Sequence, residues 1–234
     1  MTVDKSPEKI QKMFDTISDK YDFMNNIMSF GTHFLIKKDC VNQLKSGEKI
    51  LDLCCGTGDL TRILKEKHPN AEIFGVDFSE KMLEIAKRKA PTLPSPVGRV
   101  SERQEGVKYL QSNITNLPFE DNSFDIITIG FGLRNIENFD DALSEIYRVL
   151  KKDGQFMHLD FGEKNFLNKM FDKIILNLVN IFMKNNEAYS YLVKSKQEFF
   201  APDELIKIFE QKEFKFLKRK DYFLGAISCQ IMGK

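Results

Sequence analysis

The 234-residue sequence contains few of the residues that bind metals or form disulfide bonds. Its four cysteines include no CxxC pair, and its three histidines lie far apart in the chain. We therefore expect no metal site and no disulfide framework. Thiols without such a framework are typical of the reducing cytosol, so the expected location is cytoplasmic.

The sequence also lacks a long uninterrupted apolar run. The most apolar stretch, Phe166–Met183, is broken by six Asn, Asp and Lys residues, which argues against a transmembrane helix there. Met1–Ile10 has four charged residues and no apolar core. It is therefore not expected to act as a secretory signal.

A large excess of charge of either sign is missing too. The 35 basic and 34 acidic residues leave a net charge of +1, which disfavours nucleic acid as a partner. The 42% hydrophobic and 29% charged residues are ordinary for a globular protein. A chain of this length suits one domain with a large buried core.

Short apolar strands alternate with helical segments along the chain. The strands are predicted at Lys49–Cys54, Glu72–Asp77, Val107–Gln111, Phe124–Gly130 and Gly154–Phe161, followed by Phe214–Arg219 and Phe223–Ile231. This order predicts an α/β fold with a seven-stranded, mostly parallel, Rossmann-like sheet and helices on both faces. The two adjacent strands at the end of the chain predict an antiparallel C-terminal edge.

The helices and loops divide this single domain into four parts. Helices are predicted from Pro7 and at His33–Leu44, Asp59–Lys67, Ser79–Lys89, Asp140–Leu150, Asn165–Lys184, Asn186–Lys196 and Asp203–Lys212. The proline-rich segment Ala90–Gly106 is predicted to be an exposed loop. We expect an N-terminal helical cap (1–47), a cofactor-binding core (48–162), a helical substrate or lid region (163–212) and the terminal strands (213–234).

A glycine-rich turn follows the first strand and is the first candidate for chemistry. Gly56 and Gly58 allow a sharp turn and a close approach to a ligand. Asp77 ends the next strand, where a carboxylate can accept hydrogen bonds from both hydroxyls of a ribose. The dinucleotide fingerprint requires a third glycine at position 61, which is Thr61, so a nicotinamide cofactor is disfavoured.

The surroundings of this turn resemble those of the seven-stranded methyltransferases that bind S-adenosylmethionine. The similarity lies in Asp52 before the turn, small residues such as Thr57 within it, and the acid that ends the second strand. The following helix N-terminus then faces the methionine carboxylate. Asn113 and Ile114 follow the third strand and are candidates to meet the adenine, although an Asx turn is the competing interpretation of Asn113.

Longer motifs resemble one family of such enzymes. Lys20–His33, which reads KYDFMNNIMSFGTH, is similar to the N-terminal signature of the quinone-ring C-methyltransferases of menaquinone and ubiquinone biosynthesis. Gly130–Asn135 and Arg148–Gly154 resemble the second and third motifs of that family, and Ala188–Leu192 resembles its C-terminal half. The resemblance spans nearly the whole chain.

The sequence departs from the family pattern at a few positions. Ile36 stands where tryptophan is usual, Lys152 and Asp153 stand where Pro-Gly is usual, and Asp160 replaces a glutamate at the end of strand five. Gly130 stands where serine is common at the end of strand four. We still assign Gly130 to the cofactor site, although glycine offers no side chain to the cofactor there.

The resemblance implies methyl transfer from S-adenosylmethionine to a ring carbon of a reduced, polyprenylated quinone. Arg134 is then expected to stabilise a phenolate and Asn135 to orient a hydroxyl group or a water. Tyr21 is expected to cover the ring or relay a proton, and His33 to act as a base. Each has a structural alternative: Tyr21 as a core aromatic, His33 as a buried structural histidine.

For Arg134 the structural alternative is a salt bridge to Glu137 or Asp140. Cys54 and Cys55 are interpreted as packing residues because no basic residue lies near them in the sequence.

The acceptor is expected to be demethylmenaquinol, because the Cys-Cys-Gly-Thr turn resembles that branch of the family. The 2-methoxy-6-polyprenyl-1,4-benzoquinol of ubiquinone biosynthesis, another small acceptor, and a binding subunit without catalysis stay open as alternatives.

The apolar stretch that begins at Phe166 predicts either a helix packed on the sheet or a lid that contacts a lipid tail or a membrane surface. A peripheral position at the inner face of the membrane and a homo-oligomer also stay open.

Overall fold

The computed structural model of the chain describes residues 4–29, 31–89, 107–164 and 187–234. Its helices are α1 (Pro7–Ser29), α2 (His33–Asn42), α3 (Asp59–Lys67), α4 (Glu80–Lys89), α5 (Phe139–Val149), α6 (Glu187–Glu198) and α7 (Pro202–Gln211), with a 3₁₀ turn at Leu133–Asn135. Its strands are β1 (Lys49–Leu53), β2 (Glu72–Asp77), β3 (Val107–Gln111), β4 (Phe124–Gly130), β5 (Leu150–Phe161), β6 (Lys215–Tyr222) and β7 (Ile227–Gly233).

The seven strands form one sheet in the order β3-β2-β1-β4-β5-β7-β6. Strands β1 to β5 pair in parallel, whereas β7 runs antiparallel to both β5 and β6. The strand order reverses between β1 and β4, so the connections leave in opposite directions and open a crevice at the carboxyl ends of these strands. The predicted fold class is confirmed, with β7 inserted between β5 and the edge strand β6.

The sheet is buried on both faces, as a mostly parallel sheet must be. Alternate residues of each central strand supply the two cores: Leu51 and Ile127 pack on the side of α5 and α7, while Ile50 and Ile126 pack on the side of α2 and α3. All four are fully buried. This two-residue period places Asp52, which shares a face with Ile50, on the α3 side of the sheet.

Most predicted elements are confirmed to within a few residues, and one boundary near the end of the chain is wrong. The sequence predicts that Phe223 begins the last strand, but the chain reverses at residues 223–226 and β7 begins at Ile227. The prediction fails because the tip of this hairpin consists of apolar residues, which are typical of a strand. The predicted loop Ala90–Gly106 and helix Asn165–Lys184 lie outside the described residues.

Candidate active site

The turn after β1 forms the floor of the crevice. Gly56 has φ of +54° and Gly58 has φ of +82°, a left-handed conformation that residues with side chains rarely adopt. A Cβ atom at Gly56 would meet no atom within 4 Å, whereas one at Gly58 would lie 2.9 Å from Tyr109 Oη. The turn is therefore open at Gly56, where a ligand can approach the backbone, and closely packed behind it.

The carboxylate of Asp77 is held against this turn. It accepts hydrogen bonds from the backbone N–H of Gly56 (2.8 Å) and of Ser79 (2.9 Å). Burial raises the pKa of Asp77, and these N–H donors oppose the increase. The parallel pairing of β1 and β2 brings this carboxylate beside the glycine turn, which is the arrangement a nucleoside requires.

Asp52 lies one layer deeper and is fully buried. Its carboxylate accepts hydrogen bonds from Thr61 Oγ1 (2.5 Å) and Thr128 Oγ1 (2.8 Å), which tie α3 and β4 to β1. Burial raises the pKa of Asp52 from 3.8 to about 6. Asp52 therefore holds α3 and β4 to the strand that leads into the turn, and its role at the cofactor stays a prediction.

This raised pKa makes a prediction about stability. The folded protein binds the Asp52 proton more tightly than the unfolded chain, so its contribution to stability is full below about pH 4. It is lost as the pH rises through 6, at a cost on the order of 3 kcal/mol. The variant Asp52→Asn removes this titration and is expected to gain stability relative to the wild type between pH 4 and 7. Denaturant unfolding at each pH measures the difference, and a constant difference would contradict the prediction.

Helix α1 lies across the open side of the crevice. Asp22 accepts a hydrogen bond from Thr57 Oγ1 (2.6 Å), and Asp15 accepts one from Ser79 Oγ (2.6 Å). The hydroxyl of Thr57 thus binds α1, the helix that covers the site. Tyr21 stands between these two anchors in the sequence of α1, and burial raises the pKa of its phenol. The Tyr21 phenol therefore stays protonated at neutral pH.

Arg134 occupies the opposite side of the crevice, in the 3₁₀ turn after β4. Its side chain is 5% exposed, and the guanidinium donates to Asp160 Oδ1 (2.8 Å) and to the carbonyl oxygen of Phe131 (2.6 Å). It also stacks on the ring of Phe161, with its centre 5.0 Å from the ring centroid. The predicted alternative of a salt bridge to Glu137 or Asp140 is wrong, because β5 lies beside β4 and offers a buried carboxylate instead.

Within the described part of the chain, this buried ion pair keeps two polar atoms without hydrogen-bond partners, Arg134 Nε and Asp160 Oδ2. His158 Nε2 lies 3.9 Å from Asp160 Oδ2, and His158 Nδ1 lies 2.6 Å from Gln230 Oε1. Burial lowers the pKa of His158, so its ring is neutral at neutral pH. Arg134 Nε can therefore still donate a hydrogen bond, and Asp160 Oδ2 can still accept one.

Asn135 follows Arg134 and is also buried. Its Oδ1 atom accepts a hydrogen bond from Tyr191 Oη of α6 (3.3 Å). Burial raises the pKa of Tyr191 to about 12, so this phenol is a donor at neutral pH. Asn135 is thus in contact with α6, from the C-terminal half of the chain, and the catalytic roles of Arg134 and Asn135 stay predictions.

His33 has partners of its own near the start of α3. Ser29 Oγ lies 2.8 Å from His33 Nδ1 and donates its own proton to the carbonyl oxygen of Asn25, so Nδ1 is the donor to Ser29. His33 Nε2 lies 3.7 Å from Asp59 Oδ2. These contacts are those of the structural alternative, and the role of His33 as a base stays a prediction.

The remaining predicted cofactor residues lie at the carboxyl ends of β3 and β4. Asn113 is exposed, and its Oδ1 accepts the backbone N–H of Thr115 (3.1 Å), which is the Asx turn named as the competing interpretation. The Ile114 side chain is buried in the core, so only its backbone faces the loop. Gly130 ends β4, where a Cβ atom would lie 3.3 Å from Leu60.

Sequence reasoning misses two features of the site. Asp160 stands in the sequence only as a departure from a family pattern, although a charged residue in the apolar run Phe156–Phe161 signals a buried partner. A second cluster surrounds Asp59, where Lys37 (3.4 Å) and Lys89 (3.5 Å) approach its carboxylate. Burial opposes ionisation of Asp59, yet its pKa lies well below the usual range because His33 and the two lysines stabilise the carboxylate.

The residues at the turn fit S-adenosylmethionine. The open backbone at Gly56, the adjacent Asp77 carboxylate and the buried helix start behind them offer donors and acceptors for a nucleoside that has no phosphate. Burial raises the pKa of both Cys54 and Cys55, so neither thiol is a nucleophile at neutral pH. This fold and this site define a class I S-adenosylmethionine-dependent methyltransferase.

Comparison with known proteins supports this assignment to the methyltransferases. The chain belongs to the ubiE/COQ5 methyltransferase family, whose model matches residues 1–234. It is 36% identical to the demethylmenaquinone methyltransferase of Anoxybacillus flavithermus, over 97% of this chain and 96% of that protein. It is also 36% identical to the protein of the same name in Staphylococcus aureus strain JH9, over 97% of this chain and 92% of that protein.

Solved structures share the fold. A SAM-dependent methyltransferase of Thermotoga maritima superposes with a TM-score of 0.65 at 23% identity, covering 95% of this chain and 99% of that chain. Phosphoethanolamine N-methyltransferase 2 of Haemonchus contortus, solved with S-adenosyl-L-methionine, gives a TM-score of 0.64 at 16% identity, over 94% of this chain and 57% of that chain. Among the described helices of the present chain, none is long and apolar enough to cross a membrane.

Proposed function

We propose that the protein transfers a methyl group from S-adenosylmethionine to a ring carbon of demethylmenaquinol in menaquinone biosynthesis. The observation that carries this proposal is the buried Arg134–Asp160 pair, which stands beside the cofactor turn in a member of the ubiE/COQ5 family. The names of the two curated relatives favour a naphthoquinol over the benzoquinol of ubiquinone biosynthesis.

The reaction places particular demands on the residues of this chain. S-adenosylmethionine supplies an activated methyl group on a sulfonium, so no covalent enzyme intermediate is needed. The acceptor carbon becomes nucleophilic only when the ring is reduced and a phenolic proton has left. Catalysis therefore requires placement of the ring and stabilisation of the phenolate.

Each requirement has a candidate residue. The turn at Gly56 and the Asp77 carboxylate bind the nucleoside end. Arg134 stabilises the phenolate, because its charge is held in a buried place and its Nε is without a partner in the described part of the protein. Asn135 orients the second hydroxyl, and the protonated Tyr21 of α1 covers the ring.

The polyprenyl tail of the acceptor sets the place of action. A tail of this kind resides in a bilayer, so the protein acts at the inner face of the membrane as a peripheral protein. We also propose that the domain is divided into the cap, the cofactor-binding core, the lid region and the terminal strands defined above. Helices α1 and α2 form the cap.

A labelled methyl-transfer assay tests the proposal. The enzyme is given methyl-labelled S-adenosylmethionine with a short-tail demethylnaphthoquinol, and separately with the matching benzoquinol, each with and without dithionite. We expect label in the organic phase only under reduction and a higher kcat/KM for the naphthoquinol. Transfer to the benzoquinol alone would reassign the pathway. No transfer to either ring, with S-adenosylmethionine binding intact, would overturn the quinone assignment.

A further inference from the structure

The turn between β6 and β7 has an unusual composition. Phe223 and Leu224 occupy its tip with φ of +49° and +53°, and the two residues are 58% and 80% exposed. Hairpin turns with two consecutive left-handed residues favour Asn-Gly, because bulky residues are strained there. Two large apolar side chains at such a turn are unfavourable both for the backbone and for solvation. Neither folding nor solubility therefore accounts for Phe223 and Leu224 at this turn, which points to a role in binding.

The turn lies at the edge of the sheet that carries the active site. Tyr222 pairs with Ile227, and Ile227 pairs with Phe161 at the carboxyl end of β5. The backbone N–H of Glu163 donates to the carbonyl oxygen of Gly225 (2.7 Å). The turn is therefore attached to Glu163, which follows Asp160, the partner of Arg134, by three residues.

Close packing makes this attachment rigid. The backbone N–H of Gly162 donates to the carbonyl oxygen of Ala226 (2.9 Å). A Cβ atom at Gly162 would lie only 2.1 Å from the carbonyl oxygen of Gly225. Only glycine allows the end of β5 and the turn to approach so closely.

Helix α2 extends the same surface. Tyr222 Oη donates to Asp39 Oδ2 (2.5 Å), which ties the base of the hairpin to α2. Leu35 lies one helical turn before Asp39, toward the end of α2 that holds His33, and is 70% exposed. Lys38 is exposed beside it. We call Leu35, Lys38, Phe223 and Leu224 the docking rim.

We propose that the docking rim inserts into an anionic lipid bilayer and so places the active-site crevice against the membrane that holds the acceptor. This inference rests on the proposed function, because a polyprenylated acceptor must be taken from a bilayer. Apolar tips with a flanking lysine suit the boundary between headgroups and acyl chains. A protruding two-residue tip offers far less area than the roughly 800 Å² per partner that a stable protein interface buries. The lipid surface is therefore the favoured occupant over a second copy of the chain.

The double variant Phe223→Asn with Leu224→Gly tests this proposal, because it introduces the residues that the turn itself prefers. We expect the melting temperature to rise by about 2–4 °C, since backbone strain and apolar exposure are both relieved. Sedimentation with phosphatidylglycerol vesicles should show binding weakened about 10- to 100-fold. The kcat/KM for a long-tail quinol embedded in those vesicles should fall in parallel, while a short-tail quinol in detergent-free buffer is methylated as before.

Matched controls separate this surface from general hydrophobicity. Phe216→Ser with Leu217→Ser alters two exposed apolar residues, 44% and 51% exposed, in the body of the edge strand β6. This variant should bind vesicles like the wild type. Leu224→Gln, which leaves the rest of the turn unchanged, should show a smaller loss of binding in the same direction. Phosphatidylcholine vesicles should bind the wild type more weakly than anionic vesicles, because Lys38 then finds no anionic headgroup.

Several results would overturn the proposal. Vesicle binding and long-tail kinetics that are unchanged in both rim variants would exclude the rim as the membrane surface. A dimer in sedimentation equilibrium that the rim variant dissociates would identify a second copy of the chain as the occupant instead. The proposed function is tested separately by the short-tail quinol: if the wild type does not methylate it but still binds vesicles through the rim, the acceptor assignment fails and the docking surface stands.

Discussion

Replacing Arg134 with glutamine is expected to lower kcat for methyl transfer about 10²- to 10³-fold, with the affinity for S-adenosylmethionine unchanged. The guanidinium is fixed by Asp160 and by the carbonyl oxygen of Phe131, so its charge needs no reorganisation when the phenolate forms. Fixed donors of this kind contribute this much to the rate in other enzymes that stabilise an oxyanion. Stopped-assay kinetics with short-tail demethylnaphthoquinol, together with calorimetric titration of S-adenosylmethionine, measure both quantities.

Loss of folding must be separated from loss of catalysis in this experiment. Arg134→Gln leaves the fully buried Asp160 carboxylate without its cation, which costs about 3–5 kcal/mol of stability. The double variant Arg134→Gln with Asp160→Asn removes both charges and is expected to recover most of that stability. It should not recover kcat, because the positive charge at the ring is still missing. If the double variant recovers both stability and kcat, Arg134 is only a structural partner of Asp160.

The cofactor half of the site is largely predictable from the sequence. Apolar runs of five to seven residues mark β1, β2 and β4, and side-chain period alone places their ends within a residue. The turn at Gly56 and the acid at Asp77 are each adjacent to a strand end, so parallel pairing of β1 and β2 suffices to bring them together. No contact between distant parts of the chain has to be known in advance.

The part of the site around Arg134, where we propose that the acceptor binds, is less predictable from the sequence. Its contacts depend on which strands are neighbours in the sheet. The pairing of Arg134 with Asp160 requires β5 to lie beside β4, and the sequence instead suggests the nearer Glu137 and Asp140. The anchoring of α1 through Asp22 and Thr57 joins residues 35 positions apart, and no local pattern encodes it. Local sequence thus defines elements and turns, whereas partners across the sheet follow only from topology.

Replacing Asp77 with alanine is expected to raise the Kd for S-adenosylmethionine about 30- to 300-fold. The carboxylate organises the turn through the N–H groups of Gly56 and Ser79, and its remaining lone pairs are the proposed acceptors for the ribose hydroxyls. Hydrogen bonds to a charged acceptor contribute about 1.5–3 kcal/mol each, and the variant loses them without a substitute. Because these contacts are made equally before and during the reaction, kcat at saturating S-adenosylmethionine should change little.

Two comparison variants show whether the effect belongs to this carboxylate. Asp77→Asn keeps one oxygen as an acceptor for Gly56 but cannot accept a second N–H with its amide nitrogen, so its Kd should lie between the wild type and Asp77→Ala. Asp140→Ala removes a carboxylate that is 77% exposed and paired with Lys212 outside the site, and should leave the Kd unaltered. A Kd for Asp77→Ala within a few-fold of the wild type would mean that the glycine turn binds the nucleoside without this carboxylate. The assignment of the ribose to the carboxyl end of β2 would then be wrong.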